Sequence, residues 1–294
     1  MTSWGLSPDM IFVTGDVHDM DMGGEDQTWL RRHSGLTEMK CAVEYGEIAA
    51  KYGVPVTLFL TGKAARQEEE ELSALVENEY VELGGHTWNA LRPSWPHHLY
   101  KRFFGTFYGP SWYQRWDIEK TVEALENLTG ERVVTWRTHG YRGTEATEKL
   151  LAQRGIEVVS DEVGPRKEVR QLNRGLLSVP INLPPDHEHV FHGKFDGSKE
   201  KESSGSRMKG LLRTLLGIER REKAFGESRL EKDAWWEWVR AELGERLNEP
   251  GFATFLLHPA CMEILDGMEV LEEVFEFLSS RDTEFFSKAR GGEI

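Results

Sequence analysis

The chain has 294 residues, of which 39% are hydrophobic, 11% are aromatic and 29% are charged. This composition excludes wholesale disorder and predicts one packed domain. Fifty acidic residues against thirty-six basic ones give a net charge of -14, which disfavours nucleic acid and anionic lipid surfaces as partners.

The sequence shows neither a membrane span nor an export signal. No apolar run is long enough to cross a bilayer, and the N-terminal segment lacks a basic n-region and an apolar h-region. Cys41 and Cys261 stand in apolar helical settings that predict reduced core thiols. We therefore expect a cytoplasmic protein.

The first half of the chain alternates apolar runs with amphipathic patterns. Strands are predicted at 10–14, 55–61 and 80–86, with helices at 36–52 and 63–79 between them. Residues 87–115 are rich in aromatic residues, Pro and Gly, and are predicted to form an irregular functional loop or lid.

The second half continues this alternation. Helices are predicted at 116–130, 143–154 and 231–247, with strands at 132–137, 156–163, 176–183 and 252–258, before a last amphipathic helix. The shift to Lys, Glu, Ser and Gly after residue 194 predicts an insertion at about 194–247. The succession of βα units predicts an α/β fold with a parallel sheet or barrel.

Chemically capable side chains stand at the ends of five predicted strands. They are Asp16, His18 and Asp19 after the first strand, and then His86, Arg137, Asp161 and His258. Because the carboxyl ends of parallel strands converge, we expect these residues to share one site. Imidazoles and carboxylates suit a divalent metal that would activate water for amide hydrolysis.

Each of these residues also has a structural interpretation. "GDVHDMD" could be a polar turn, His258 a partly buried structural histidine, and Arg137 a partner for a carboxylate in the sheet. Their joint occurrence at strand ends favours the functional interpretation.

The order of these motifs resembles the polysaccharide deacetylase superfamily, the NodB-homology or carbohydrate esterase family 4 proteins. The resemblance covers roughly residues 10–163 and 251–280. It implies a deformed (β/α)7-type barrel in a single domain spanning 1–294, with a helical insertion. It also implies a metal held by an Asp and two His, which serves to remove acetyl groups from N-acetylated sugars.

The first family motif, T-F-D-D, aligns with Thr14 to Val17. Asp16 then takes the position of the catalytic base, and Val17 stands where the family has a metal-binding Asp. His18 or Asp19 is expected to supply the missing ligand. Alternatively, Asp16 is itself the ligand.

The second motif, H-[ST]-x-x-H, is represented by "HTWNA". His86 matches the first ligand, whereas Ala90 replaces the second. Two groups of residues are alternative metal ligands, namely His97 and His98 in the aromatic stretch, and His187 and His189 in "PDHEHVFHG". The second group could also be an exposed polar loop.

The remaining motifs imply the other catalytic roles. In "RTHGYRG", which resembles R-x-P-Y, Arg137 would steady Asp16, while His139 replaces the Pro and Tyr141 comes one position late. His258 in "LLH" would be the general acid, with Asp161 orienting it.

The resemblance implies a metal-dependent deacetylase that acts on a sugar or sugar-containing metabolite. Zinc is the expected cofactor, with iron, cobalt or nickel as alternatives. Trp88, Trp95 and Tyr141 are expected to bind substrate, although the aromatic residues could instead pack on one another. Two alternatives remain, a hydrolase of a non-sugar amide (allantoinase-like or deformylase-like) and a non-catalytic carbohydrate-binding barrel. A homo-oligomer is also possible.

Overall fold

The computed structural model describes residues 10–20, 30, 32, 34–190, 224–226, 229–247 and 251–290. Most of the predicted insertion, from 194 to 223, lies outside the described residues.

Nine strands and ten α-helices make up the described fold. The strands are β1 (Met10–Val17), β2 (Val56–Leu60), β3 (Val81–Gly85), β4 (Thr135–Trp136), β5 (Val158–Val159), β6 (Arg170–Gln171), β7 (Leu177–Ser178), β8 (Phe252–Leu256) and β9 (Thr283–Glu284). The helices are α1 (Glu38–Tyr52), α2 (Gly62–Gln67), α3 (Glu69–Val76), α4 (Ser94–Phe104), α5 (Ser111–Thr129), α6 (Glu145–Arg154), α7 (Asp186–His189), α8 (Lys232–Leu247), α9 (Pro259–Asp266) and α10 (Glu269–Leu278). Short 3₁₀ turns lie at His139–Tyr141, Asn173–Gly175 and Phe286–Arg290.

The strands form one sheet in the order β6-β7-β5-β4-β3-β2-β1-β8, and β9 pairs with β1. All pairs are parallel except β6 with β7, as expected when helices connect successive strands. The sheet is a mixed half-barrel covered by helices, which confirms the predicted deformed α/β barrel in a single domain.

A side chain bridges the two ends of this curved sheet. Asn182, which follows β7, donates from Nδ2 to the Phe252 carbonyl (2.9 Å) and accepts at Oδ1 from the Thr254 backbone N–H (2.8 Å). These bonds imitate the donor and acceptor of a neighbouring strand along β8. The barrel is thereby held together where backbone pairing among the described strands stops.

The alternation of side chains along β1 separates two cores. Ile11, Val13 and Val17 join the large core beneath the helices. Met10 and Phe12 face the other way, into a smaller cluster inside the barrel that includes Phe59 and Phe286. The lower part of the barrel is therefore closed by an apolar plug.

Two predicted elements differ from the observed ones. The single helix predicted at 63–79 is divided into α2 and α3 at Glu68, whose φ of -132° is not helical. The stretch 87–115, predicted to be irregular, contains α4 and the start of α5. Pro93 and Pro110 directly precede these helices, a position at which proline is compatible with a helix start.

The predicted helix at 231–247 is observed as α8, and it belongs to the main core. Trp235, Trp236, Val239 and Leu243 are buried, and the Trp235 indole N–H donates to the Pro184 carbonyl (3.3 Å). The end of the predicted insertion therefore stabilises the barrel.

The described residues agree with two simpler expectations. Cys41 and Cys261 are buried and form no disulfide. None of the helices in the described ranges combines the length and apolarity needed to cross a bilayer.

Candidate active site

The end of β1 sends a row of polar side chains into the barrel. Thr14, Asp16 and His18 occupy alternate positions and share the interior face, above Phe12. Val17 points to the opposite side and is fully buried in the outer core. Strand alternation thus excludes Val17 from the site and brings His18 into it.

Arg137 fixes Asp16 from across the barrel. Its Nη1 donates to Asp16 Oδ1 (2.8 Å), while Nη2 donates to the Thr14 and Ser160 hydroxyls (2.9 Å each). The guanidinium lies over the Phe59 ring of the apolar plug, 4.4 Å from its centroid. Arg137 is fully buried, so its geometry is set by packing on one side and by charge on the other.

The fixed charges keep Asp16 ionised. Burial alone would raise the pKa of Asp16, but the Arg137 guanidinium and the protonated His258 beside its carboxylate hold it well below its usual range. Asp16 Oδ2 faces two imidazoles, at 3.7 Å from His86 Nε2 and 3.8 Å from His258 Nε2. Asp16 is therefore a carboxylate acceptor in the centre of the site.

Three imidazoles converge beside this carboxylate. His18 comes from the end of β1, His86 from the end of β3, and His139 from the turn after β4. Their candidate ligand atoms all lie within 4.8 Å of one another. This group defines the histidine cluster.

Hydrogen bonds on the outer side of His18 and His86 set their tautomers. His86 Nδ1 lies 2.8 Å from the Arg137 carbonyl, which only accepts, so Nδ1 carries the proton and Nε2 is bare in the neutral ring. His18 Nδ1 lies 2.9 Å from Glu38 Oε2, which also accepts the His18 backbone N–H (2.8 Å). When His18 Nδ1 donates its proton to this carboxylate, His18 Nε2 is likewise the unprotonated nitrogen of the neutral ring.

The cluster fits a divalent cation. His18 Nε2 is buried and has no hydrogen-bond partner. His86 Nε2 lies 3.1 Å from His139 Nδ1. A proton shared between these two nitrogens would still leave His18 Nε2 without a hydrogen-bond partner. Burial lowers the pKa of His86 to about 3 and that of His139 well below its ordinary value, so both rings are neutral, as metal ligation requires.

His139 is the residue that the sequence analysis missed. It was noted only as a replacement for the motif's Pro, although it lies two residues after Arg137, which ends a predicted strand. Ala90 is buried and has a positive φ of 53°. The candidate ligand His139 therefore lies on a different loop from the one that the linear motif indicated.

The four histidines expected as alternative ligands lie outside the histidine cluster. His97 Nδ1 donates to the Phe107 carbonyl (2.9 Å), and the His97 ring stacks on the Phe107 ring, which His98 contacts edge-on. His187 packs on His258, with ring centroids 4.6 Å apart. His189 is buried against Trp238.

Asp19 also takes a position other than the expected one. Its carboxylate is buried and pairs with Lys63 (3.2 Å), and it is not part of the histidine cluster. Of the two residues expected to replace the missing ligand at Val17, His18 is the one that reaches the cluster.

His258 lies on the other side of Asp16, backed by Asp186. His258 Nδ1 lies 2.7 Å from Asp186 Oδ1, and its backbone N–H donates to Oδ2 (2.6 Å). Burial disfavours the charged ring, but the Asp186 and Asp16 carboxylates outweigh that effect and raise the pKa of His258 to about 9. His258 is therefore protonated at neutral pH.

Asp161 does not take the expected role beside His258. Its Oδ1 accepts from the Thr138 backbone N–H (2.6 Å), in the residue before His139. The carboxylate on His258 is Asp186, which follows the predicted strand 176–183 and was not singled out. Asp161 instead anchors the turn that carries His139, and burial raises its pKa to about 6.

The residues expected to bind substrate lie in three different settings. Tyr141 follows the His139 turn, and its backbone N–H donates to the Thr138 carbonyl (2.8 Å). Burial and the Asp16 carboxylate raise the pKa of its phenol well above the ordinary value. Trp88 lies under the Lys120 ammonium, 3.8 Å from the ring centroid, while Trp95 is 65% exposed on α4.

Comparisons with known proteins agree with the fold described above. Residues 41–159 match the family model described as polysaccharide deacetylase. A protein from Mycobacterium smegmatis assigned as a polysaccharide deacetylase has a TM-score of 0.66 and 17% identity, covering 98% of this chain and 91% of that chain. The PuuE allantoinase has a TM-score of 0.63 and 11% identity, covering 97% and 89%.

A third structure is a carbohydrate esterase family 4 pseudoenzyme, BA3943 from Bacillus anthracis. It has a TM-score of 0.50 and 13% identity, covering 96% of this chain and 66% of that chain. At these identities the solved structures show the shared fold alone, and the sequence has no significant match among curated proteins. The family-model match and the common fold together confirm the resemblance to the polysaccharide deacetylase superfamily that the motifs indicated.

Proposed function

We propose that this protein is a metal-dependent hydrolase that removes an N-acetyl group from a sugar or sugar-containing metabolite. The observation that carries the proposal is the histidine cluster, in which three imidazoles converge beside an ionised Asp16 and opposite a protonated His258. His18, His86 and His139 would hold the ion. Three His ligands with an open position are a known arrangement of catalytic zinc, so zinc is the expected metal.

A divalent ion bound there would polarise the substrate carbonyl and lower the pKa of an attacking water. Asp16 Oδ2 would accept the proton of that water, since Arg137 engages Oδ1. As the carbon–nitrogen bond breaks, His258 Nε2 would donate a proton to the leaving amine, and Asp186 would stabilise the imidazolium between turnovers.

Tyr141 is the proposed donor to the oxyanion of the tetrahedral intermediate. The Tyr141 backbone N–H already donates to the Thr138 carbonyl, so the phenol hydroxyl is the group that would donate to the oxyanion. Its raised pKa keeps this hydroxyl protonated. The cytoplasmic location, Trp88 and Trp95 as substrate-binding residues, and any homo-oligomer stay predictions.

Metal content and hydrolysis test the proposal together. Purified protein should hold one divalent ion per chain by elemental analysis, and His18→Ala, His86→Ala and His139→Ala should each lose it. His97→Ala is the matched control, because this buried histidine lies outside the cluster and should keep the ion.

A substrate panel tests the reaction. N-acetylated monosaccharides and oligosaccharides should release acetate, and chelation should abolish the release. Release of product from allantoin or a formyl amide alone would instead support the non-sugar alternative. A chain that folds but binds no stoichiometric metal would contradict the proposal and favour the non-catalytic barrel.

A further inference from the structure

The large apolar side chains that are exposed in the described part of the chain all lie on two neighbouring helices, α4 and α5. Six of them form what we call the aromatic patch, with exposed fractions of 46% or more, apart from Leu99 at 45%. They are Trp95, Leu99, Phe103, Phe104, Trp112 and Trp116. Exposed apolar side chains concentrated in this way mark an interaction surface.

The patch belongs to a well-anchored structure. Trp95, Leu99 and Phe103 are four residues apart and share one face of α4. On the same helix, His97 is buried and stacks on Phe107. The Tyr100 ring contacts both Phe104 and Trp112, which joins α4 to the start of α5. The aromatic patch is therefore carried by two helices that contact each other through aromatic rings.

The segment that carries the aromatic patch, residues 83–116, has a net positive charge, opposite to that of the whole chain. Between Glu82 and Asp117 the sequence contains no acidic residue, although the chain has fifty. The same segment carries four exposed basic side chains, Arg92, Lys101, Arg102 and Arg115. Arg102 directly precedes Phe103, so cationic heads stand next to exposed rings.

We propose that the aromatic patch binds an anionic phospholipid surface. Trp, Phe and Leu side chains flanked by Lys and Arg are the pattern by which helices lie in a membrane interface, with rings among the acyl chains and cations at the headgroups. Two exposed Phe rings and a Leu favour lipid over a sugar face, because they offer no hydrogen bond. The net charge of -14 opposes binding only weakly, since salt screens charges beyond about 8 Å.

The support of the aromatic patch also contacts the chain next to the candidate active site. The Arg142 guanidinium lies over the Phe107 ring, 4.0 Å from its centroid, which connects the support of α4 to the chain just after the His139 turn. The proposal goes beyond the proposed function and does not depend on it, because the metal-free protein should bind lipid equally well.

Vesicle sedimentation tests the proposal. The full chain should sediment with phosphatidylglycerol–phosphatidylcholine vesicles and not with pure phosphatidylcholine, and added salt should weaken the binding. Lys101→Gln with Arg102→Gln should lower the partition coefficient about thirtyfold, since each basic side chain near an anionic surface contributes about fivefold. Phe103→Ser with Trp112→Ser should lower it at least about tenfold.

The matched control is Leu128→Ser. Leu128 is exposed on the same α5 helix but follows acidic residues outside the patch, so its variant should bind as the unmodified chain does. The proposal would be overturned by absence of vesicle binding, by equal binding to both vesicle types, or by patch variants that bind normally. It would equally be overturned if these variants abolished self-association or N-acetylglucosamine oligomer binding and left vesicle binding intact.

Discussion

His18 reaches the candidate metal centre because β1 alternates its side chains. The family pattern has adjacent residues as base and ligand, whereas here the two are separated by Val17, which faces the outer core. Asp16 and His18 therefore share the interior face. Both residues were expected from the sequence, and the strand geometry explains why the candidate ligand lies at position 18 and not at position 17.

His139 illustrates the limit of a linear motif. The motif places His139 at a proline position, whereas the residues predicted to replace Ala90 lie in stretches that are rich in histidine. The contact between His86 and His139 joins residues separated by fifty-three positions. No local spacing encodes it, because it depends on β3 and β4 being neighbours in the sheet.

Glu38 offers a first prediction about the metal centre. Glu38→Gln should weaken zinc affinity about 10- to 100-fold, because the carboxylate orients His18 and increases its basicity through Nδ1. Competition with a fluorescent zinc chelator measures the change. Glu47→Gln, at an exposed position of α1, is the control, and equal affinities in the two variants would contradict the role of Glu38.

His258 and Asp186 give a second prediction, about pH. Because the pKa of His258 is raised to about 9, the acid form is present at neutral pH, and kcat/KM should fall as the pH rises through 9. Asp186→Asn removes the carboxylate on Nδ1 and leaves burial dominant, so this alkaline limb should move down by at least about one pH unit.

The Asp161→Asn variant tests whether Asp186 or Asp161, the residue expected from the sequence, raises the pKa of His258. Asp161 binds the Thr138 N–H and does not contact His258, so the variant should keep the alkaline limb of the pH profile. An alkaline limb that moves in Asp161→Asn and stays in place in Asp186→Asn would reverse the assignment.

At the scale of elements, regular segments were predicted best. α1 was expected at 36–52 and observed at Glu38–Tyr52, with Thr37 capping its start and Gly53, at a φ of 68°, ending it. The segment 87–115 was predicted to be irregular, whereas it contains α4 and the start of α5; the helix was missed because α4 turns apolar side chains to the solvent. Such a helix lacks the periodic contrast between a buried apolar face and an exposed polar one.

Asp117 connects α5 to the loop after His86. Its carboxylate accepts the Trp88 backbone N–H (3.2 Å) and the Tyr108 hydroxyl (2.9 Å). The loop includes Thr87, with a positive φ of 67°. Burial raises the pKa of Asp117 to about 7, despite these hydrogen bonds.

This buried acid predicts a pH-dependent stability. Between about pH 4 and 7 the unfolded chain loses the Asp117 proton while the folded chain keeps it, so the free energy of unfolding should fall by roughly 3 kcal/mol as the pH rises. Asp117→Asn should remove this component. Urea denaturation at pH 5 and 8 measures it, and equal pH dependence in both proteins would contradict it.

At the scale of the whole molecule, the succession of βα units predicted a parallel sheet or barrel with its site at the strand ends. The division of its interior also follows from sequence, since β1 changes from Met10 and Phe12 to Thr14 and Asp16 on one face. How the sheet ends meet could not be predicted. That junction depends on the Asn182 side chain, which resembles any other polar residue near a strand.

Asn182→Ala should therefore destabilise the entire domain. The change leaves the Phe252 carbonyl and the buried Thr254 N–H without their partners, at a cost of about 2–4 kcal/mol. Asn78→Ala is the control, because Asn78 Oδ1 accepts only from Tyr80 N–H in a local turn and its loss should cost about 1 kcal/mol or less. Chemical denaturation compares them. If Asn182→Ala were no more destabilising than Asn78→Ala, packing of the helices alone would hold the barrel closed, and the side-chain bridge would be incidental.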